Sequence, residues 1–317
     1  MTEIKKGKVT IVGAGSVGAT LAYNLSITGG ASEIALIDHN KEKAEAEIMD
    51  ILHGTSLGGS RKVYSAEYDA CANAEIVVIT AGAKQKAGES RVELLSRNIK
   101  IVTEILDSIK STSFKGILLV ITNPVDVLTY AAWKESGYEK SRVIGSGTVL
   151  DSSRLKDFLS KTCGISPISI HGYVLGEHGD TSFPAWSLIT IGGIRLLDYC
   201  PLCGKSCNIR GIIDSASDYV HKAAYKIINA KGSTYYAIAQ AVSVIIHSII
   251  KDEKRILPVT TVHENFMGLK KTAFSLPTIV GNGGAEKVIN VNLTVDEQKL
   301  LFDSASFITE NIAKTGY

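Results

Sequence analysis

The sequence predicts an α/β protein, with a doubly wound parallel sheet over residues 1–146 followed by a mixed α+β half over residues 147–317. Three observations carry that reading. The first half alternates short strands with helical stripes, its strands are apolar on both faces, and the pattern changes style near Gly145 to Gly147. A length of 317 residues suits two domains of ordinary size.

Val9 to Val12 is a short apolar run ending in glycine, and Val17, Leu21 and Leu25 then recur at four-residue intervals until Gly29 and Gly30. That spells strand, turn and helix. Glu33 to Asp38 reads as the next strand, Ala44, Ile48 and Leu52 as the next helix, and Ile76 to Thr80 as a third strand. A long helical stripe runs through Val92, Leu95, Ile99, Val102, Leu106 and Ile109. The strand Ile117 to Ile121 follows and then, past Asn123 and Pro124, a helix around Val127 to Trp133 and a strand near Arg142 to Ile144. Strands that are apolar throughout need helices over both faces, as a parallel sheet does.

In the second half Ile168 to Leu175, Trp186 to Ile191 and Ile256 to Val262 read as longer strands. Two helices show clean periodicity, from Ile209 to Ile227 and from Ile238 to Ile249. A closing helix through Leu301, Ser304, Ile308 and Ile312 is entered by the capping-box pair Thr294 and Glu297. There is no internal repeat and no low-complexity linker.

Composition narrows the function classes. Lysine plus arginine at 34 against aspartate plus glutamate at 32 leaves a net charge of +2, too balanced for a surface built to hold nucleic acid. No apolar run approaches the length of a membrane helix, and the charged start Met1 to Lys8 is followed by only a brief apolar stretch, unlike a signal peptide. A cytoplasmic protein without membrane or nucleic-acid partners is expected. Five cysteines form no disulfide framework. Cys200, Cys203 and Cys207 cluster, but a structural zinc site needs four ligands and no histidine follows before His221, so a surface loop without metal is expected.

Gly13-Ala14-Gly15-Ser16-Val17-Gly18 is a G-x-G-x-x-G turn that follows a predicted strand, opens a predicted helix and has Asp38 at the end of the next strand. The first glycine permits the tight turn, the second lets the backbone approach a pyrophosphate, and the third lets helix pack on strand. Helix N–H groups and dipole suit the phosphates. Asp38 would accept hydrogen bonds from ribose hydroxyls and repel a 2′-phosphate, which favours NAD over NADP. A second glycine cluster, Gly281 to Gly284, has no βαβ unit after it and reads as a plain loop.

Four further segments stand with this turn: Thr80 to Arg91, Thr122-Asn-Pro-Val-Asp126, Gly145 to Arg154, and Gly176-Glu-His-Gly-Asp180. With these motifs in this order, the chain resembles the L-lactate/malate dehydrogenase family, in its bacterial form, along essentially its whole length. The resemblance implies a Rossmann domain and reversible hydride transfer between NADH and pyruvate, with lactate as product. It adds Val17, Thr80, Ala81, Gly82 and Asn123 to Gly13, Gly15, Gly18 and Asp38 as cofactor contacts.

Reducing a 2-oxo acid needs a hydride on one side and a proton at the ketone oxygen, and a histidine of near-neutral pKa is the best donor for it. His178 is that histidine. Asp151 would accept its second N–H and favour the protonated form, so a raised His178 pKa is expected. Arg154 lies one helical turn after Asp151, which alone would suit a weak surface ion pair. The resemblance instead gives it a forked grip on the substrate carboxylate. The resemblance also makes Lys84 to Arg91 a closing loop that brings Arg91 to the ketone oxygen, and has Asn123 orient the reacting groups beside a peptide bond to Pro124 that can be cis.

Substrate choice falls on Gln85, where the resemblance implies that a malate dehydrogenase carries an arginine for the second carboxylate of oxaloacetate. A neutral glutamine suits pyruvate, and Thr234 resembles the threonine lining the methyl side of the pocket. The resemblance further implies a homotetramer and an activator site for fructose bisphosphate at His171. There the usual arginine is replaced by Lys156, a charge without the fork, and the sequence leaves the effector response open. Two other readings stand beside this one: a dehydrogenase for malate or another L-2-hydroxy acid, and a non-catalytic NAD-binding protein. The second should have lost at least one of Asp151, Arg154, His178 or Arg91, and all four are in place.

Overall fold

The computed structural model describes residues 4–58, 62–83, 88, 91–202 and 208–317. The first half runs β1 (Lys5–Val12), α1 (Ser16–Thr28), β2 (Glu33–Ile37), α2 (Lys41–Thr55), β3 (Lys62–Ser65), β4 (Ala74–Ile79), α3 (Arg91–Lys110), β5 (Ile117–Val120), α4 (Val125–Ser136) and β6 (Val143–Gly145). The second half opens with α5 (Val149–Cys163) and the two-residue strands β7 (Ile170–His171), β8 (Val174–Leu175), β9 (Phe183–Pro184), β10 (Thr190–Ile191) and β11 (Ile194–Arg195). It continues through α6 (Leu196–Leu202), α7 (Ile209–Lys231), α8 (Tyr236–Ile250), β12 (Arg255–His263), β13 (Thr272–Gly281), β14 (Gly284–Val288) and α9 (Val295–Ala313).

Strands β1 to β6 are parallel in the order 3-2-1-4-5-6. Successive side chains alternate between two cores, as the strand period of two requires. Ile76, Val78, Ile117 and Leu119 face the core built with α1, α2 and α8, whereas Val77, Ile79, Leu118 and Val120 face the one built with α3, α4 and α9. Every one of these side chains is buried, which is why these strands read as continuous apolar runs. The chain reverses winding between β1 and β4, so the carboxyl end of β1 opens onto the crevice where such sheets take ligands.

The second half differs from the sequence reading in several places. The sheet does not stop at β6: β12 pairs antiparallel with it through Thr260 and Gly145, and β13 and β14 extend it to nine strands. Gly281 and Gly284 pair as the ends of the β13–β14 hairpin with Asn282 and Gly283 as its turn, so the expected loop joins two paired strands. Of the three expected long strands, Ile256 to Val262 forms unbroken within β12, whereas the other two are broken. Pro167 opens a 3-10 turn before β7, and Trp186 to Leu188 form another before β10. The edge strand β3, only half apolar, escaped the reading. Cys200 corrects another expectation: it is 3% exposed on α6 and packs in a third apolar core with Leu159, Ile191 and Val220, because the helix turns its thiol inward. Cys203 and Cys207 lie outside the described residues. Thr294 and Glu297 do form the capping box at α9.

Candidate active site

The glycine turn is shaped by contacts that only glycine allows. Gly13 has φ of +112°, and a Cβ there would meet the Ala81 backbone nitrogen at 2.7 Å; a Cβ on Gly18 would stand 1.9 Å from the Gly13 carbonyl oxygen. These two positions seat α1 directly on the turn. At Gly15, by contrast, a Cβ would point into open space, and Gly15 caps α1 with no side-chain partner and no acidic residue in the first turn. The helix therefore offers free N–H groups to an anion approaching the bare backbone.

Asp38 closes the other side. Its carboxylate accepts from the Ala14 N–H at 2.7 Å and from the Asn40 N–H at 2.9 Å, which fixes it at the end of β2 beside the turn. The Thr80 hydroxyl donates to the Gly13 carbonyl at 2.9 Å and ties the end of β4 to the same place. Donors at the helix start and a fixed acceptor beside them fit a dinucleotide with free ribose hydroxyls. Val17 lies half buried on α1, against the core shared with α2 and α8.

A continuous set of contacts leads from this turn to the catalytic candidates. The Ala81 N–H donates to the Val12 carbonyl at 3.0 Å, and the Thr122 hydroxyl donates to the Ala81 carbonyl at 2.7 Å. Gly82 packs on Thr122, whose methyl would stand 2.4 Å from a Cβ there. Asn98, 2% exposed on α3, accepts from the Ala83 N–H at 2.8 Å and donates to the Asn123 carbonyl at 2.9 Å. One buried amide thus holds the strand end before the polar loop against the Asn123–Pro124 peptide, which is cis. Sequence reading missed Asn98, although a polar residue among Leu95, Ile99 and Val102 was a visible signal.

From Pro124 the chain enters α4, and Asp126 on its first turn accepts the His178 backbone N–H at 2.7 Å. The loop carrying His178 leaves β8 through Gly176, at φ +88°, where a Cβ would strike the Ser304 hydroxyl at 2.5 Å. Ser304 in turn accepts the Glu177 N–H at 2.8 Å. The imidazole Nδ1 lies 2.6 Å from Asp151 Oδ2, and Arg154 Nη1 donates to Asp151 Oδ1 at 2.8 Å. Asp151 and Arg154 share one face of α5, and Arg154 is only 12% exposed, so this is no solvated surface pair.

The electrostatics follow from burial and charge. Burial works against a charged His178, but the Asp151 carboxylate beside it, with help from Asp126, outweighs burial and raises the imidazole pKa to about 9. Asp151 is pushed up by its burial, yet His178 and Arg154 overcome that and leave it below the usual carboxylate range. A half-buried imidazole held charged at neutral pH, with a cation one turn away, can donate a proton beside a bound carboxylate.

Other expected residues lie apart. Gln85 and the Arg91 side chain fall outside the described residues, as do Lys84 and Lys86. Thr234 sits half buried in the link between α7 and α8. Lys156 on α5 is partly buried, which lowers its pKa, and α5 packs against β7, where His171 is exposed. Among the described residues no group of three or more potential ligands could hold a metal.

The family model for the lactate/malate dehydrogenase NAD binding domain matches residues 7–145, and that for the lactate/malate dehydrogenase alpha/beta C-terminal domain matches residues 148–316. The chain belongs to the lactate/malate dehydrogenase family. Similar members of this family include the L-lactate dehydrogenase of Treponema denticola, 45% identical over 308 residues and covering 96% of this chain and 97% of the relative. That of Acetivibrio thermocellus is 45% identical over 305 residues, 96% of each chain. Among solved structures, a lactate dehydrogenase enzyme from a Medee basin deep-sea metagenome library superposes with a TM-score of 0.94 at 38% identity, covering 99% of this chain and all (100%) of that one. The minor L-lactate dehydrogenase from Enterococcus mundtii in its ligands-bound form gives 0.92 at 36% identity, with 97% and 98% coverage.

Proposed function

We propose that this member of the lactate/malate dehydrogenase family is an NAD-dependent L-lactate dehydrogenase that reduces pyruvate with His178 as proton donor. The observation that carries the reading is the closed cluster of His178, Asp151 and Arg154, joined by bonds of 2.6 and 2.8 Å and linked through Asp126, Asn123 and Thr80 to the glycine turn. The family's L-lactate dehydrogenase relatives at 45% identity support it.

Gly13, Gly15 and Gly18 with the start of α1 would hold the pyrophosphate of NAD, and Asp38 the ribose. Val17, Thr80, Ala81, Gly82 and Asn123 would line the rest of the groove. Bound NADH supplies the hydride. Arg154 grips the substrate carboxylate with the guanidinium nitrogens that Asp151 leaves free, which sets the ketone toward His178. The imidazolium gives its proton to the ketone oxygen, and Asp151 keeps the ring oriented and charged until it does. Arg91 is assigned to the same oxygen, where negative charge develops, and closure of its loop would expel water. Running backwards, neutral His178 takes the hydroxyl proton of lactate.

Gln85 and Thr234 are assigned to the methyl end of pyruvate. The Gln85→Arg variant tests this: the ratio of oxaloacetate to pyruvate turnover is expected to rise at least tenfold, as a countercharge removes the cost of burying a second carboxylate. An unchanged ratio would contradict the assignment and favour another 2-hydroxy acid.

Two finer readings belong here. Fructose bisphosphate would bind at His171 and Lys156, with Lys156 as a point charge; rates with and without it decide the matter. A homotetramer is supported by exposed Tyr23, Ile27, Met49 and Leu57 on and after α1 and α2, and by Tyr225 and Ile228 on α7. Light scattering of the eluted protein reads its mass. Among the described residues no helix is long and apolar enough to cross a membrane.

A further inference from the structure

The wholly buried carboxylate of Asp126 has so far appeared only as a link in a chain of contacts. It stands on the first turn of α4, 3% exposed, in a stretch that is otherwise almost entirely apolar. One oxygen accepts the His178 backbone N–H at 2.7 Å and the other accepts the Thr260 hydroxyl at 2.6 Å. Among the described residues its hydrogen-bond partners are two donors and no acceptor, which suits an ionised carboxylate. Thr260 sits on β12 opposite Gly145 of β6, so Asp126 ties the catalytic loop to the seam where the parallel sheet meets its antiparallel extension.

We propose that Asp126 is a positioning residue for proton transfer: it fixes the His178 loop through the backbone and, with Asp151, places a second negative charge beside the imidazolium. This rests on the reading of His178 as proton donor. Among the described residues the charged groups that act on His178 are Asp126 from α4 and Asp151 and Arg154 from α5, while Glu177 of its own loop acts on Asp126 and Ser304 of α9 holds that loop as a neutral partner. Among these Arg154 opposes a charged imidazole, and both aspartates favour it. Burial pushes the Asp126 carboxyl up to about 7, against the pull of its two hydrogen bonds, so its charge depends on keeping both donors.

Asp126→Asn separates charge from geometry. The amide oxygen can still accept the His178 N–H, and the amide nitrogen can donate to Thr260, whose hydroxyl turns to accept. The alkaline fall of kcat/KM for pyruvate is expected to move down by about one pH unit, with NADH binding unchanged. A uniform loss of rate with the limb unmoved would show a merely structural role and overturn the proposal. Thr260→Val, which withdraws one donor and keeps the carboxylate, is expected to move the limb the same way by less, and serves if the asparagine variant does not fold; an unmoved limb there overturns it equally. Titration of the His178 imidazole by NMR reads the same shift without turnover. Should the unaltered protein fail to reduce pyruvate, the reaction reading falls, while that titration still decides whether Asp126 sets the charge of His178.

Discussion

Replacing Asp151 by asparagine removes the charge that holds His178 protonated while keeping an oxygen within reach of its ring. The imidazole pKa stands at about 9 against an ordinary 6.5, a net stabilisation of the charged ring of about 3 kcal/mol after burial has worked against it. Asp151 is the largest source of that stabilisation, and burial persists in the variant, so the pKa should fall to about 6.5 or below. Pyruvate reduction needs the imidazolium, and its rate is therefore full below the His178 pKa and lost above it. At pH 8 about nine-tenths of the wild-type rings are charged, against about 3% in the variant, a roughly thirtyfold loss of kcat/KM; at pH 6 the two differ by less than about twofold from this cause. Arg154 also loses its anionic partner, which adds a fall that does not vary with pH. The assay is kcat/KM for pyruvate from pH 5 to 10 at saturating NADH. An alkaline limb that stays near 9 in the variant, with the same proportional loss at every pH, would refute the reasoning.

Three further outcomes are expected. Arg154→Lys keeps the charge but loses the fork, and kcat/KM should drop about 10- to 100-fold, mainly through KM, as one charge-assisted hydrogen bond is lost; an unchanged KM for pyruvate would place the carboxylate elsewhere. Gly18→Ala drives a methyl to 1.9 Å from the Gly13 carbonyl, so fluorescence titration should show NADH binding weakened at least tenfold and melting should show a loss of about 1–3 kcal/mol; native NADH affinity would mean that the turn does not carry the pyrophosphate. Glu33, buried at the start of β2 among Lys5, Lys8, Lys62 and Tyr64, is raised by burial but pulled down to about 2 by its partners, so its stabilisation is present above its unfolded pKa near 4.5 and lost as pH falls through about 2. Glu33→Gln should cost about 3 kcal/mol at pH 7 in urea unfolding and less than half that by pH 3, and a cost constant over that range would count against the network.

The parallel half was legible because burial on both faces leaves no polar residue to break the strands, as at Ile76 to Ile79 and Ile117 to Val120. The motif residues were legible too, since a G-x-G-x-x-G turn followed by Asp38 has few physical uses. What escaped depends on distant pairing. Strand β3 is an edge strand whose Lys62 and Tyr64 answer to Glu33 on the neighbouring strand, a partner 29 residues earlier than Lys62 in sequence. The broken strands from β7 to β11 are set by turns and by packing on α5, which periodicity does not report. Asn98 is satisfied by backbone groups from other segments, and Asp126 by a backbone N–H and the Thr260 hydroxyl, and a sequence shows such a residue only as a polar position in an apolar stripe. Cys200 was read by its loop-like neighbours, whereas its burial follows from the way α6 lies on the third core.

The most direct test of the account is NADH oxidation by the purified protein with pyruvate and with oxaloacetate, side by side at pH 7. Rapid turnover of pyruvate, with kcat/KM at least a hundredfold above that for oxaloacetate and L-lactate as the product, is the predicted result. Preference for oxaloacetate, or turnover of neither, would contradict it.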